Sequence, residues 1–97
     1  MVKGYSLGQI TISDKSQYKI YDSKIGKVIE EFGGKHLVKG GLRIVKEGNP
    51  SFQRDVLVEF KDVKTAQRFF SSQQFKEISK FRKAGSTGVL LLLNGKE

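Results

Sequence analysis

The opening residues alternate between apolar and polar side chains. Ile10 and Ile12 fall on one face, Gln9 and Thr11 on the other, and this period of two predicts a strand over 4–12. The period then lengthens. Tyr18, Tyr21, Ile25, Val28, Ile29 and Phe32 recur every three or four positions, the apolar stripe of an amphipathic helix. Ser13-Asp14 supplies a side-chain oxygen for the free amides of its first turn, and Gly33-Gly34 stops it. A Leu-, Val- and Ile-rich stretch over 35–47 predicts a second strand, with a bulge, a bend or a close backbone approach expected where Gly40-Gly41 interrupts it. Gly48-Asn49-Pro50-Ser51 reads as a turn. A third strand over 55–60 puts Val56, Val58 and Phe60 on one face and Leu57 and Glu59 on the other. Asp62 is placed to cap a second helix through Val63, Ala66, Phe69 and Phe70. Ser71-Ser72 breaks or re-caps that helix, and Phe75, Ile78 and Phe81 carry it on to Gly85. A last strand spans 87–94.

The order strand, helix, strand, strand, helix, strand predicts an α+β ferredoxin-like sandwich: an antiparallel four-stranded sheet with both helices on one face. The last strand bears on the other face. Val89-Leu90-Leu91-Leu92-Leu93 does not alternate, and an unbroken apolar run in a strand implies burial on both sides. Two helices cover one side. The simplest cover for the other is the sheet of a second copy, so a homodimer through the sheet face, a dimeric α+β barrel, is expected. Residues 1–97 suffice for a single domain with a modest core, which such pairing would enlarge.

Composition changes this picture little. There is no cysteine, so neither a disulfide framework nor thiolate chemistry is expected. No apolar signal core opens the chain, and the longest apolar run is far too short to cross a membrane; a cytoplasmic protein is expected, with no membrane partner. The net charge of +8, from 18 Lys+Arg against 10 Asp+Glu, raises the question of nucleic acid. The excess is mostly lysine in helical or helix-flanking stretches, which reads as a solvated face. An RNA-recognition motif shares this strand order and stacks bases on aromatics of its third strand. Here those positions hold Asp55 and Leu57, so no specific nucleic-acid partner is expected.

The ordered residues resemble the family known as domain of unknown function 1330, within the dimeric α+β barrel group. The resemblance runs through Gly4-Tyr5, Tyr18 and Tyr21, Gly33-Gly34, Lys39-Gly40-Gly41, Glu47-Gly48, Arg54, Glu59-Phe60, Ala66, Phe70-Ser71, Phe75 and Arg82. It departs at Ser6, where the family often has Trp, and at Phe70 and Phe75, where it often has Tyr. The family has no agreed activity, so the resemblance implies fold and assembly rather than chemistry.

No residue pattern dictates a reaction. His36, the sole histidine, has no cysteine and no evident carboxylate with which to build a metal site, and no metal or cofactor is assigned. Related barrel families include haem enzymes, and a structural role for His36 is the simpler reading. Glu59 sits at a wet strand end or points into a cavity between sheets, where burial would make it a general base. Arg54, Arg43 and Arg82 carry the planar fork that binds carboxylate or phosphate. The aromatics, Phe70 among them, are core first and pocket lining second. The reading is therefore a small protein that binds or acts on an organic molecule in a pocket at the sheet, with Glu59, Arg54, Arg82, His36 and Phe70 as candidate ligand residues. The rival is an interaction module without a ligand.

Overall fold

The computed structural model describes residues 2–97; Met1, which opens the span assigned to the single domain, lies outside them. The elements are β1 (Gly4–Ile12), α1 (Lys15–Glu31), β2 (Lys35–Lys39), β3 (Arg54–Phe60), α2 (Val63–Ser71), α3 (Gln73–Gly85) and β4 (Ser86–Asn94). The four strands form one sheet in the order β2-β3-β1-β4, and every neighbouring pair is antiparallel. This is the ferredoxin-like arrangement expected from the element order.

Local chemistry sets the helix ends. Asp14 caps α1, its carboxylate accepting from the Ser16 and Gln17 amides at 3.1 and 3.3 Å. Gly33, with φ of 70°, takes the left-handed turn that ends it. Asp62 accepts from the Thr65 amide at 2.7 Å and so starts α2. Ser72 then does two things. Its backbone closes α2, and its hydroxyl accepts from the Phe75 amide at 3.1 Å to begin α3. The expected second helix is therefore two helices, and three rather than two cover the sheet.

Ile10, Val58 and Phe60 of the sheet meet Tyr18, Tyr21, Ile25, Val28 and Ile29 of α1, Ala66 and Phe69 of α2, and Phe75 of α3 in one buried core. The strand register puts Gly4, Ser6, Gly8 and Ile10 of β1 on this helix-covered face, with Phe60, Val58, Val56 and Arg54 of β3 beside them. Tyr5, Leu7 and Gln9 face the other way, opposite Glu59, Leu57 and Asp55.

The second strand departs from expectation. It stops at Lys39, and residues 40–53 cross without regular structure. The bulge lies at Leu37, between His36 and Val38, rather than at Gly40-Gly41. This one-residue slip inverts the facing of everything after it. His36 pairs with Val58 and Lys39 with Val56, so both point toward the helices, which their odd-numbered separation would otherwise forbid.

The last strand is apolar on both faces, as its run predicts, but one chain covers only one of them. Leu90 and Leu92 pack on the core, whereas Val89, Leu91 and Leu93 are 40%, 44% and 40% exposed on the open face. Among the described residues no helix is long and apolar enough to cross a membrane.

Candidate functional site

On its helix-facing side the central strand β1 carries small residues, Ser6 and Gly8, where larger side chains would complete the core. The result is a hollow between sheet and helices that leaves about 40 Å³ free. One water needs roughly 10–15 Å³, so the hollow accommodates about three water-sized groups. Its walls are mostly apolar: Ile10, Ile25, Val58, Phe70, Phe75 and Leu90 contribute most of them. Its polar groups are Ser6, Tyr18, Tyr21, Asp22, His36, Lys39 and Arg82.

The polar groups are tied together. The Tyr18 and Tyr21 rings lie 5.6 Å apart on one side of α1. The Arg54 guanidinium carbon sits 5.8 Å from the centre of the Tyr18 ring. The Arg82 guanidinium carbon sits 5.9 Å from the Tyr21 ring and 5.7 Å from the Phe75 ring. Two cations thus rest on two adjacent phenols. The Nε atoms of both arginines are buried and have no hydrogen-bond acceptor. Asp22, the one carboxylate in the wall, pairs with Lys39 at 3.7 Å.

Burial governs the titration of the site. It pushes the Tyr18 hydroxyl up, with the positive charge of Arg54 acting against it. It pushes the Tyr21 hydroxyl up further, opposed by Arg82, so both phenols stay protonated as donors at neutral pH. Burial lowers His36, and the Lys39 and Arg54 charges add to the effect while Asp22 opposes it. The imidazole is therefore neutral at neutral pH.

Of the residues expected to carry a site, His36, Phe70 and Arg82 line the hollow, and Arg54 adjoins it through Tyr18. Glu59 does not. It projects from the opposite face of the sheet, where the Tyr5 hydroxyl lies 3.5 Å away and Lys3 and Lys35 approach to 3.9 and 3.8 Å. The strand alternation that buries Val58 and Phe60 against the helices requires this. Arg43 is also consumed elsewhere: its Nε and Nη2 donate to the Asp55 carboxylate at 2.7 and 2.9 Å, and Nη1 donates to the Phe52 carbonyl. Asp22 and Lys39 were not among the expected site residues, and Tyr18 and Tyr21 were expected as core aromatics with pocket lining only as a second role. The choice of Tyr over Phe within the apolar stripe was the available signal, because a buried phenol needs a polar neighbour. Lys39 had none, since its inward facing depends on the bulge. Among the described residues no group of His, Asp and Glu is arranged to hold a metal ion.

Several solved structures share this fold. The RPA0582 protein of unknown function from Rhodopseudomonas palustris superposes with a TM-score of 0.79 at 17% identity, covering 99% of this chain and 84% of that one. A conserved protein from Methanosarcina mazei gives 0.59 at 15% identity, over 100% and 94% of the two chains. SnoaB, a cofactor-independent oxygenase from Streptomyces nogalater, gives 0.56 at 12% identity, over 100% and 96%. At such identities the likeness is one of fold. No curated protein matches the chain. The sequence pattern, the strand order and the structural neighbours agree with the family model that matches residues 3–96, and the chain belongs to the family described as Domain of unknown function (DUF1330).

Proposed function

We propose that the protein binds a small organic molecule in the hollow between sheet and helices, and that it does so as a cytoplasmic homodimer paired through the open face of the sheet. The observation that carries the ligand reading is the convergence of polar groups from β1, α1, β2 and α3 on a space that the core leaves unfilled. Ligand pockets combine an apolar wall with a few placed polar groups in this way. That SnoaB, a cofactor-independent oxygenase, shares the fold supports a small-molecule role. The apolar positions Val89, Leu91 and Leu93 support the dimer, since an exposed apolar stripe of this kind marks an interface. Leu42, Ile44 and Val45 extend it: they are exposed on a loop that Arg43 ties to Asp55 on that same face.

The test is a titration of the isotopically labelled protein with a panel of small organic molecules, followed by amide NMR. Shifts concentrated at Ser6, Gly8, Tyr18, Tyr21 and His36 are expected. A panel that shifts nothing, or shifts only amides of the open face, would leave an interaction module without a ligand as the better reading.

A further inference from the structure

We infer that the hollow is a carboxylate site, in which Arg82 in its wall binds the anionic end of a short organic monoacid, Arg54 adds positive charge from behind Tyr18, and the acid's apolar end lies against Ile10, Val58 and Phe75. The inference rests on the small-molecule reading above and specifies its chemistry.

It starts from an imbalance. A guanidinium cannot lose its proton, so Arg54 and Arg82 bring two permanent charges to the tyrosine pair. The only carboxylate in the wall is engaged by Lys39. The remaining ion pairs among the described residues involve Glu59 and Asp55, which belong to the other face of the sheet. The aromatic faces of Tyr18, Tyr21 and Phe75 offset part of the charge by cation–π attraction. They give the buried Nε–H groups no lone pair, and a buried donor without an acceptor is costly. A carboxylate supplies the missing negative charge for the two cations, and its lone pairs suit the Arg82 guanidinium that lines the hollow.

Other features agree. Gly40 has φ of 68°, and a Cβ there would run into the Arg54 guanidinium, so the backbone itself makes room for that group. The neutral phenols Tyr18 and Tyr21 supply further donors to an anion. The free space of about 40 Å³ admits a carboxylate with at most a methyl group, so the shortest acids suit it. A phosphate dianion fits the site less well. Its usual cradle of free backbone amides at a helix start is absent here, because Asp14 already occupies the amides that open α1. Arg82 lies in the last turn of α3, whose carbonyl end repels anions, so the arginine side chain alone must attract them.

Tyrosine emission offers a direct readout: the chain has 3 Tyr and no Trp, and two of the tyrosines line the hollow. The protein is titrated with formate and acetate, with the matching neutral amides, and with inorganic phosphate. Saturable binding of the acids and not of the amides is expected. Arg82→Met, which keeps an unbranched apolar stem, should weaken acid binding by about 10- to 100-fold, the loss of one charge-assisted hydrogen-bonded contact, and Arg54→Met should weaken it less, through lost charge alone. Circular dichroism checks that each variant is folded. If either fails to fold, the comparison of acid with amide on the unaltered protein decides alone. Amides binding as tightly as acids would overturn the carboxylate assignment while leaving a small-molecule pocket intact. Binding of phosphate alone would also overturn it. No binding of any of these probes, with a flat NMR panel, would overturn both readings.

Discussion

Gly85 and Tyr18 touch backbone to backbone: a Cβ on Gly85 would lie 2.5 Å from the Tyr18 amide nitrogen and 2.9 Å from the Asp14 carbonyl oxygen. The Gly85 carbonyl accepts from the Ser13 and Asp14 amides at 2.9 and 3.1 Å, which locks the end of α3 onto the start of α1. This junction lies between the two residues that bring cations and phenols together. Arg82 is three residues before Gly85 on α3, and Tyr18 opens the tyrosine pair on α1. Gly85→Ala should therefore cost about 1–3 kcal/mol, the range for forcing extra atoms into a packed contact. Urea unfolding measures this. The same substitution should weaken acid binding in the folded protein, because moving α3 carries Arg82 off the tyrosines. A variant as stable as the parent would show that the helices part without strain.

What the chain disclosed in advance follows from where the information is local. The first, third and last strands, the caps at Asp14 and Asp62, and the break at Ser71-Ser72 depend on neighbours within a few residues, and the structure reproduces them. The facing of Arg54 toward the helices follows from strand alternation, since it shares parity with Val56 and Val58. The same alternation puts Glu59 on the open face of the sheet, outside the hollow, which agrees with the wet strand end or inter-sheet position expected for it. Lys39 was illegible because one bulged residue, Leu37, inverts its facing, and nothing about Leu37 in the sequence marks a bulge. The hollow was illegible because it is a deficit. Ser6 and Gly8 matter for the side-chain volume they omit, and only the packed structure shows what surrounds the gap.

His36 should titrate below its ordinary value of 6.5, since burial and the Lys39 and Arg54 charges disfavour its protonated form. A group whose folded pKa is depressed contributes stability that is present above the unfolded pKa and lost as pH falls through the folded one. The protein should accordingly lose stability on acidification below about 6.5. The imidazole proton signal in NMR gives the midpoint directly, as there is only one histidine. Lys39→Met should raise that midpoint, and saturation with acetate should raise it too, because the bound anion offsets the Arg54 charge. A midpoint at or above 6.5 would place His36 in water.

The Arg43 hydrogen bonds hold the Asp55 carboxyl below the usual carboxylate range, with Gln9 assisting at 3.3 Å. The stabilisation is present above the unfolded carboxyl pKa of roughly 3.9 and is lost as pH falls through the lower folded value. Because the pair is open to solvent, water screens it and its contribution to global stability is small. Its larger effect should be on residues 40–53, which it pins. Asp55→Asn should leave global unfolding nearly unchanged and speed amide exchange across that loop. Unaltered exchange would mean that the loop is held by other contacts.

Nucleic-acid binding should be weak and governed by salt. The net charge of +8 attracts phosphate backbones through counterion release. The open face that would have to stack bases presents Leu7, Leu57 and Leu91 with Asp55 and Glu59 between them, and its tyrosine, Tyr5, lies beside Glu59. Without a stacking platform the roughly 1–3 kcal/mol per base is missing. Fluorescence polarisation with a labelled single strand should show binding at low salt that disappears near 0.15 M, a concentration at which the screening length is about 8 Å. Sequence-selective submicromolar binding at that salt would place the protein among RNA-binding domains.

The open sheet face should decide the assembly. Leu91 and Leu90 are neighbours in β4 with opposite surroundings: Leu91 pairs with Leu7 on the open face, and Leu90 pairs with Gly8 over the hollow. Light scattering at micromolar concentration should give twice the 10.9 kDa chain mass. Leu91→Lys places a charge at the centre of the proposed interface and removes nothing from the core of one chain. It should yield a folded monomer with an unchanged circular dichroism spectrum. Leu90→Ala should do the converse, remaining dimeric while losing about 2–5 kcal/mol of stability, less where its partial burial softens the loss. The two substitutions separate interface from core because they differ by one position on a strand, where the side-chain period is two. If the unaltered chain scatters as a monomer at every concentration tested, the leucines of the open face serve some other partner, and the inference drawn from the unbroken run Val89 to Leu93 fails with it.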